Sequence, residues 1–380
     1  MQQIIQAIQA GYAAFKRGDY AEARRLLGGI DHVKAVHLLA LVEKDSGDLE
    51  KSAGLMDRAA RLDPKDPEIA NSRARLARDT GQLDLAEAEF RRTLDIKPDF
   101  RQATDGLGRL FIDTERWSDA LDVYQSLLQS APGDVSARYG QGTALLGLGR
   151  AEEAEAVFDS LVNEGNDQPQ VRFMRARARL ELGQVEMAVK DLEASHSASP
   201  SDFSLKTLAG TYWLTGDEAS FEELVSRSSA VPELAVTSAE ILRQCGKPEK
   251  ALETLSEARK SATLPLESWS VAATAHIDLE QAVDAEAASR ECLALDPEDR
   301  LIKGSLITSL LMQGKADEAM PYIESMRKAE PDAQHWIAYE ASALRLLGST
   351  RYAELVDLER FVRPYQLPVP EGYDSIEAFN

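Results

Sequence analysis

Residues 66–98 read DPEIANSRARLARDTGQLDLAEAEFRRTLDIKP, and two helices with a turn between them can be read straight from them. Apolar or small side chains fall at Ile69, Ala70, Ala74, Leu76 and Ala77, the spacing of an amphipathic helix. Thr80-Gly81 ends that helix, because glycine takes the left-handed conformation at a helix C-terminus without a Cβ clash. Leu83, Ala86, Phe90, Thr93 and Leu94 then recur three and four apart, which predicts a second helix. Pro98 stops it, having no N–H to continue the ladder. The next unit begins at once. Nearly every segment reads this way, and no stretch alternates with the period of two that a strand requires.

The glycine keeps returning. Gly47, Gly81, Gly149, Gly183, Gly216, Gly246, Gly314 and Gly348 lie at or near multiples of 34 residues, with Gly18 opening the series and Glu115 and Glu280 in the two remaining slots. Pro64, Pro98, Pro132, Pro200, Pro297 and Pro331 give a second beat half a period later. In this register the first helix carries a small residue seven before the turn, among them Gly11, Ala40, Ala74, Gly108, Gly142 and Ala176, with Ile307 as the exception. The second helix carries one five after it, as at Ala23, Ser52, Ala86, Ala120, Ala154 and Ala188, with Phe221 breaking the row. Four residues further on stand Leu27, Met56, Phe90, Tyr124, Phe158, Leu192 and Ile323. Small side chains at the first two positions let the helices approach closely around the large one.

This small–small–large–proline register at a period of 34 resembles the tetratricopeptide repeat family over residues 2–362. The resemblance implies an all-α solenoid, a right-handed superhelix of about eleven helix–turn–helix repeats, whose trade is binding rather than chemistry. The phase slips at Gly18 to Gly47, where Gly28-Gly29 shorten a helix, and again on either side of Gly216. Repeat seven is therefore expected to have a short second helix and to act as a joint or as a decayed repeat. Residues 1–215 are taken as one region, 216–362 as the rest of the array, and 363–380 as a Pro-rich linker.

That linker, RPYQLPVPEGYDSIEAFN, breaks the helical pattern with three prolines in seven residues. Arg363, Leu367, Pro370, Gly372, Tyr373 and Ala378-Phe379-Asn380 are similar to the junction where tetratricopeptide repeats precede a 2-oxoglutarate/Fe(II) oxygenase domain. The likeness implies that the chain is the N-terminal arm of such an enzyme, cut at the start of the next domain. It carries none of that domain's metal or cosubstrate ligands.

Composition narrows the remaining classes. A net charge of −21 in 380 residues argues against binding phosphate or nucleic acid. Cys245 and Cys292 make neither a disulfide framework nor a zinc spacing. The N-terminal MQQIIQAIQAGYAAF lacks the basic flank and long apolar core of a signal peptide. No apolar run approaches the ~18 residues of a membrane span. A cytoplasmic location, no membrane contact and no cofactor are the expectations.

Two constellations imitate catalytic sites. His276-Ile277-Asp278 with His335 and Arg345 mimics a two-histidine, one-carboxylate iron triad and its cosubstrate arginine. On a helix, residues i and i+2 diverge, so the pair cannot close on one metal as it would on a strand. Gly140-Gln141-Gly142 with Gly147 and Gly149 suggests a nucleotide loop, but Leu145 stands where the fingerprint needs a glycine and no strand precedes it. No nucleophile can be nominated.

Binding is left as the work of the chain. In the family the first helix of each pair lines the concave face, and carrying its inward positions over gives Tyr12, Phe15, His37, Lys44, Asn71, Arg75, Arg78, Arg109, Tyr139, Phe173, Arg177, Lys206 and Trp213. The partner-binding candidates among them are Arg75, Arg78, Arg109, Tyr139, Phe173, Arg177, Lys206 and Trp213. Arginine and aromatic residues dominate binding hot spots, and arginine pairs bidentately with carboxylates. The expectation is a groove for a protein or extended peptide bearing acidic groups. The plainer alternative pairs the arginines with neighbouring acids on a solvated face. The family's lysine–asparagine carboxylate clamp is not reproduced, since its slots hold Asn71, Arg75 and Gly106, and Leu38, Ser72, Gly106, Gly140 and Met174 replace its asparagine ladder. A freestanding adaptor is the rival to the enzyme-arm reading, and the sequence leaves the oligomeric state open.

Overall fold

The computed structural model describes residues 2–356, and these form twenty-two helices in eleven pairs. The segment from 357 on, including the linker 363–380 and its oxygenase likeness, lies outside the described residues. The helices divide into two compact units, one up to Pro200 and one from Ser201, ahead of both helices of the seventh pair. The first unit pairs α1 (Gln2–Lys16) with α2 (Tyr20–Leu27), α3 (Val33–Asp45) with α4 (Leu49–Leu62), and α5 (Pro67–Asp79) with α6 (Leu83–Ile96). It continues with α7 (Arg101–Asp113) and α8 (Trp117–Ser130), α9 (Val135–Gly147) and α10 (Ala151–Asn163), α11 (Pro169–Glu181) and α12 (Val185–Ala198). The second unit runs through α13 (Asp202–Thr215) and α14 (Glu218–Ser229), α15 (Pro232–Gln244) and α16 (Pro248–Ser261), α17 (Glu267–Asp278) and α18 (Ala282–Leu295). Its last pairs are α19 (Arg300–Met312) with α20 (Ala316–Ala329) and α21 (Gln334–Leu346) with α22 (Arg351–Leu355).

Each pair turns at the residue the repeat register names. All nine glycine slots have positive φ, and so do Glu115 and Glu280, at 57° and 58°. The turn, not the residue, is therefore what repeats. At seven of the eleven turns the position after it does one of two jobs. Where it is Asp19, Asp48 or Asp217, the carboxylate caps the second helix by accepting from the backbone N–H of Glu22, Lys51 or Ser220 at 3.0–3.1 Å. At four others it is Arg116, Gln184, Lys247 or Lys315, which instead reaches a carboxylate in the preceding pair: Glu87 at 2.5 Å, Glu155 at 3.1 Å, Glu222 at 3.0 Å and Glu286 at 2.8 Å.

The large position of the second helix is the knob around which each pair closes. Tyr124, Phe90 and Phe158 are buried, and a Cβ added at Gly108 would stand 2.5 Å from Tyr124. From the other side, a Cβ at Gly140 of the next pair would stand 2.3 Å from the same ring. Gly106 leaves equivalent room for Phe90, and Gly142 for Phe158. These glycines are the packing surface that lets aromatic knobs bridge successive pairs, and one continuous core runs from Ala74 to Ala178 as a result. Repeat seven shows the expected variation: α14 has 12 residues, and Phe221 is fully buried.

First helices also pack on one another: α1 on α3, α5 on α7, α7 on α9 and α9 on α11 in the first unit. In the second unit α13, α15, α17, α19 and α21 do likewise. Each unit thus presents a first-helix face formed by helices that lie side by side.

Candidate binding face

On α5 the residues Asn71, Arg75 and Arg78 are spaced i, i+4, i+7 and share one side of the helix. Arg75 is exposed and has no hydrogen bond or ion pair among the described residues. Arg78 lies 3.4 Å from Asp79, which Lys44 of α3 holds more tightly at 2.6 Å. Asn71 is only 5% exposed, and its amide oxygen is buried without a partner. One pair on, Arg109 of α7 bonds Asp105 one turn back at 3.2 Å, and Asp105 accepts a further bond from Ser136 of α9 at 3.2 Å.

Tyr139 of α9 is half-buried with its ring edge on Phe158, 6.0 Å between centroids. Burial pushes its phenol above the ordinary value, while Arg109 from one side and Arg177 from the other pull it down. Both guanidiniums are therefore within electrostatic reach of that one hydroxyl. Arg177 of α11 is exposed and, like Arg75, has no partner among the described residues. Phe173, one turn before it, is half-buried against the core. Beside Tyr139 opens a cleft of about 670 Å³ whose walls include Arg101, Asp134, Gln168 and Gln170.

The structure thus brings Arg75, Arg78, Arg109, Tyr139, Phe173 and Arg177 onto consecutive first helices of one unit. Lys206 and Trp213 stand on α13 of the second unit, where Lys206 pairs with Glu240 at 3.1 Å and Trp213 stacks on Phe221 at 5.4 Å. The earlier inward residues are more engaged. His37 bonds the Ser72 hydroxyl at 2.9 Å, with burial lowering its pKa, and Phe15 packs on Tyr20. Tyr12 is half exposed at 52%. Of the four arginines two have acidic neighbours and two have none, so the solvated-face pairing accounts for half of the row.

Two features escaped the sequence reading. Asp105 buffers the arginine row, and only its i, i+4 spacing to Arg109 hinted at it. In the second unit a cleft of about 410 Å³ opens over Gly304, walled by Leu301, Thr308, His335, Trp336 and Tyr339. Gly304 occupies the register position that carries Tyr139 and Phe173 elsewhere, which is the signal that could have found it.

The histidines and the aspartate of the iron-triad look-alike are engaged in other contacts. His276 bonds Gln281 at 2.7 Å, Asp278 accepts from Arg243 at 3.1 Å, and His335 stacks on Trp336 at 4.4 Å. Among the described residues no three histidine, cysteine or acidic side chains converge as a metal-ligand group. Gly140 and Gly142 lie within α9 as the packing glycines already described. Cys245 and Cys292 are free, and burial raises both thiols. No helix of the described residues is long and apolar enough to cross a membrane.

Comparison with known proteins gives similarities in sequence and in structure. Models described as tetratricopeptide repeat match residues 37–99 and 106–169, and a second such model matches 7–28. No curated protein matches the chain in sequence. Among solved structures it is similar to a tetratricopeptide repeat protein from Parabacteroides merdae, at 14% identity over 82% of this chain and 100% of that one, TM-score 0.44. MamA from Desulfovibrio magneticus is similar at 18% identity over 44% of this chain and 96% of its own, TM-score 0.42. A thermophilic repeat protein from Thermus thermophilus gives 20% identity over 48% of this chain and 100% of that one, TM-score 0.39. The three segments matched within residues 7–169 are repeats of the tetratricopeptide family, and the left-handed turns and small–small–large packing of their register recur through both units.

Proposed function

We propose that the chain is a scaffold that binds an extended, acidic segment of a protein partner along the first helices α5, α7, α9 and α11. Repeats of this family serve protein interaction, and the observation that selects this face is the pair of unpartnered guanidiniums, Arg75 and Arg177. In a chain of net charge −21, exposed cations left unpaired run against the prevailing sign. They attract carboxylates from a partner, with Tyr139 supplying apolar surface between them and Phe173 beside Arg177. The same acidity repels nucleic acid and anionic membrane, and a cytoplasmic setting suits two reduced cysteines. The reading is of a binding protein.

The test uses a fluorescently labelled poly-glutamate peptide, followed by anisotropy. Binding to the native chain should weaken as salt rises, because exposed charge pairs are screened over about 10 Å at 0.1 M. Arg75→Ala, Arg109→Ala and Arg177→Ala together should weaken it at least about tenfold and flatten the salt dependence. All three side chains are exposed, so the triple variant keeps its helical circular dichroism. Unchanged affinity in that variant would remove the basis for this assignment.

A further inference from the structure

The row of arginines also carries a ruler. Arg78 and Arg109 already have acidic neighbours in Asp79 and Asp105, whereas Arg75 and Arg177 do not, so the two free guanidiniums are the ends of the row. Both occupy the same register position, six residues before the turn, Gly81 in one case and Gly183 in the other. They therefore sit at equivalent heights on α5 and α11, which are separated by two intervening first helices, each packed on the next. Helices in contact lie about 8–10 Å apart, so three steps span about 24–30 Å. An extended chain advances about 3.3 Å per residue and covers that span in about 7–9 residues.

The geometry points to a partner segment that carries two acidic side chains about 7–9 residues apart in extended conformation, one seated on Arg75 and the other on Arg177. This rests on the proposed binding reading and adds the spacing and the ends. Between the ends lies Tyr139 on α9, with Phe173 beside Arg177 on α11, so the segment carries an apolar side chain between its second acid and its middle.

Three labelled peptides test the spacing, each with two glutamates in an otherwise neutral extended sequence, set about 3, about 8 or about 13 residues apart. The intermediate peptide should bind about tenfold more tightly than the other two, since only it engages both ends at once. Arg75→Ala and Arg177→Ala, each alone, should reduce it to the level of the short peptide. Arg109→Ala should cost it less than either. Equal binding of all three peptides, weakened in common by the triple arginine variant, would overturn the spacing while leaving the acidic groove standing. Failure of every peptide and of poly-glutamate to bind would overturn both.

Discussion

Glu115 and Glu280 hold φ angles of 57° and 58°, a region that costs a residue with a Cβ roughly 1–2 kcal/mol relative to glycine. The repeat tolerates them because the turn is fixed by the helices on both sides. Replacing either with glycine should stabilise its unit by about 1 kcal/mol, visible as a higher urea midpoint; an unchanged or lower midpoint would show that the side chain earns its place by another contact. The opposite holds at Gly140, where a Cβ would stand 2.3 Å from the Tyr124 ring. Gly140→Ala should destabilise by about 1–3 kcal/mol, and Tyr124→Leu in the same chain should recover part of that loss. The turn glycines were legible from their beat alone. Gly106 and Gly140 were not, because in sequence they only look like missing asparagines, and their reason lies in an aromatic ring sixteen residues earlier.

At the level of helices, the links between successive pairs are partly ionic. Glu286 of α18 accepts from Lys315, Gln313 and Arg290, and chiefly the Lys315 bond holds its carboxyl down at about 2, from an ordinary 4.5. A carboxyl with a depressed folded-state pKa contributes stability that is complete above its unfolded value and is lost as pH falls toward the folded one. The stability difference between the native chain and Glu286→Gln should therefore be constant above about pH 5 and shrink steadily down to about pH 2. A difference that does not change with pH would mean the link is not ionic. In the first unit the links go deeper. Arg175 donates to Asp191 at 2.6 and 2.7 Å where both are buried, and Asp159, Glu155 and Arg179 extend the network. Asp191→Ala leaves a buried guanidinium short of its partner and should cost about 3–5 kcal/mol. None of this was readable from the sequence, where charges on helices look like solvated faces; the pairing depends on which positions of neighbouring pairs are brought together.

Across the molecule, the number of hairpins and the place of every turn follow from periodicity, because each repeat packs on its neighbours and spacing translates directly into position. The division ahead of Ser201 does not follow from it, being a matter of how contacts are distributed. With two compact units, urea unfolding should show two transitions, and Asp191→Ala should move only the one belonging to the first unit. A single transition shifted as a whole would mean that the units unfold as one. The binding face was legible as a set of positions but not as a set of free groups, because the pairing of Arg78 and Arg109 and the freedom of Arg75 and Arg177 are properties of the folded surface. The central claim is where the partner lies. The direct measurement is photo-crosslinking of the intermediate diglutamate peptide, carrying a photoreactive residue midway between its acids, with the attached sites read by mass spectrometry. Attachment clustered on α7 and α9 around Arg109 and Tyr139 is the predicted result. Attachment confined to the second unit, such as the cleft over Gly304, or spread without preference over the chain, would contradict it.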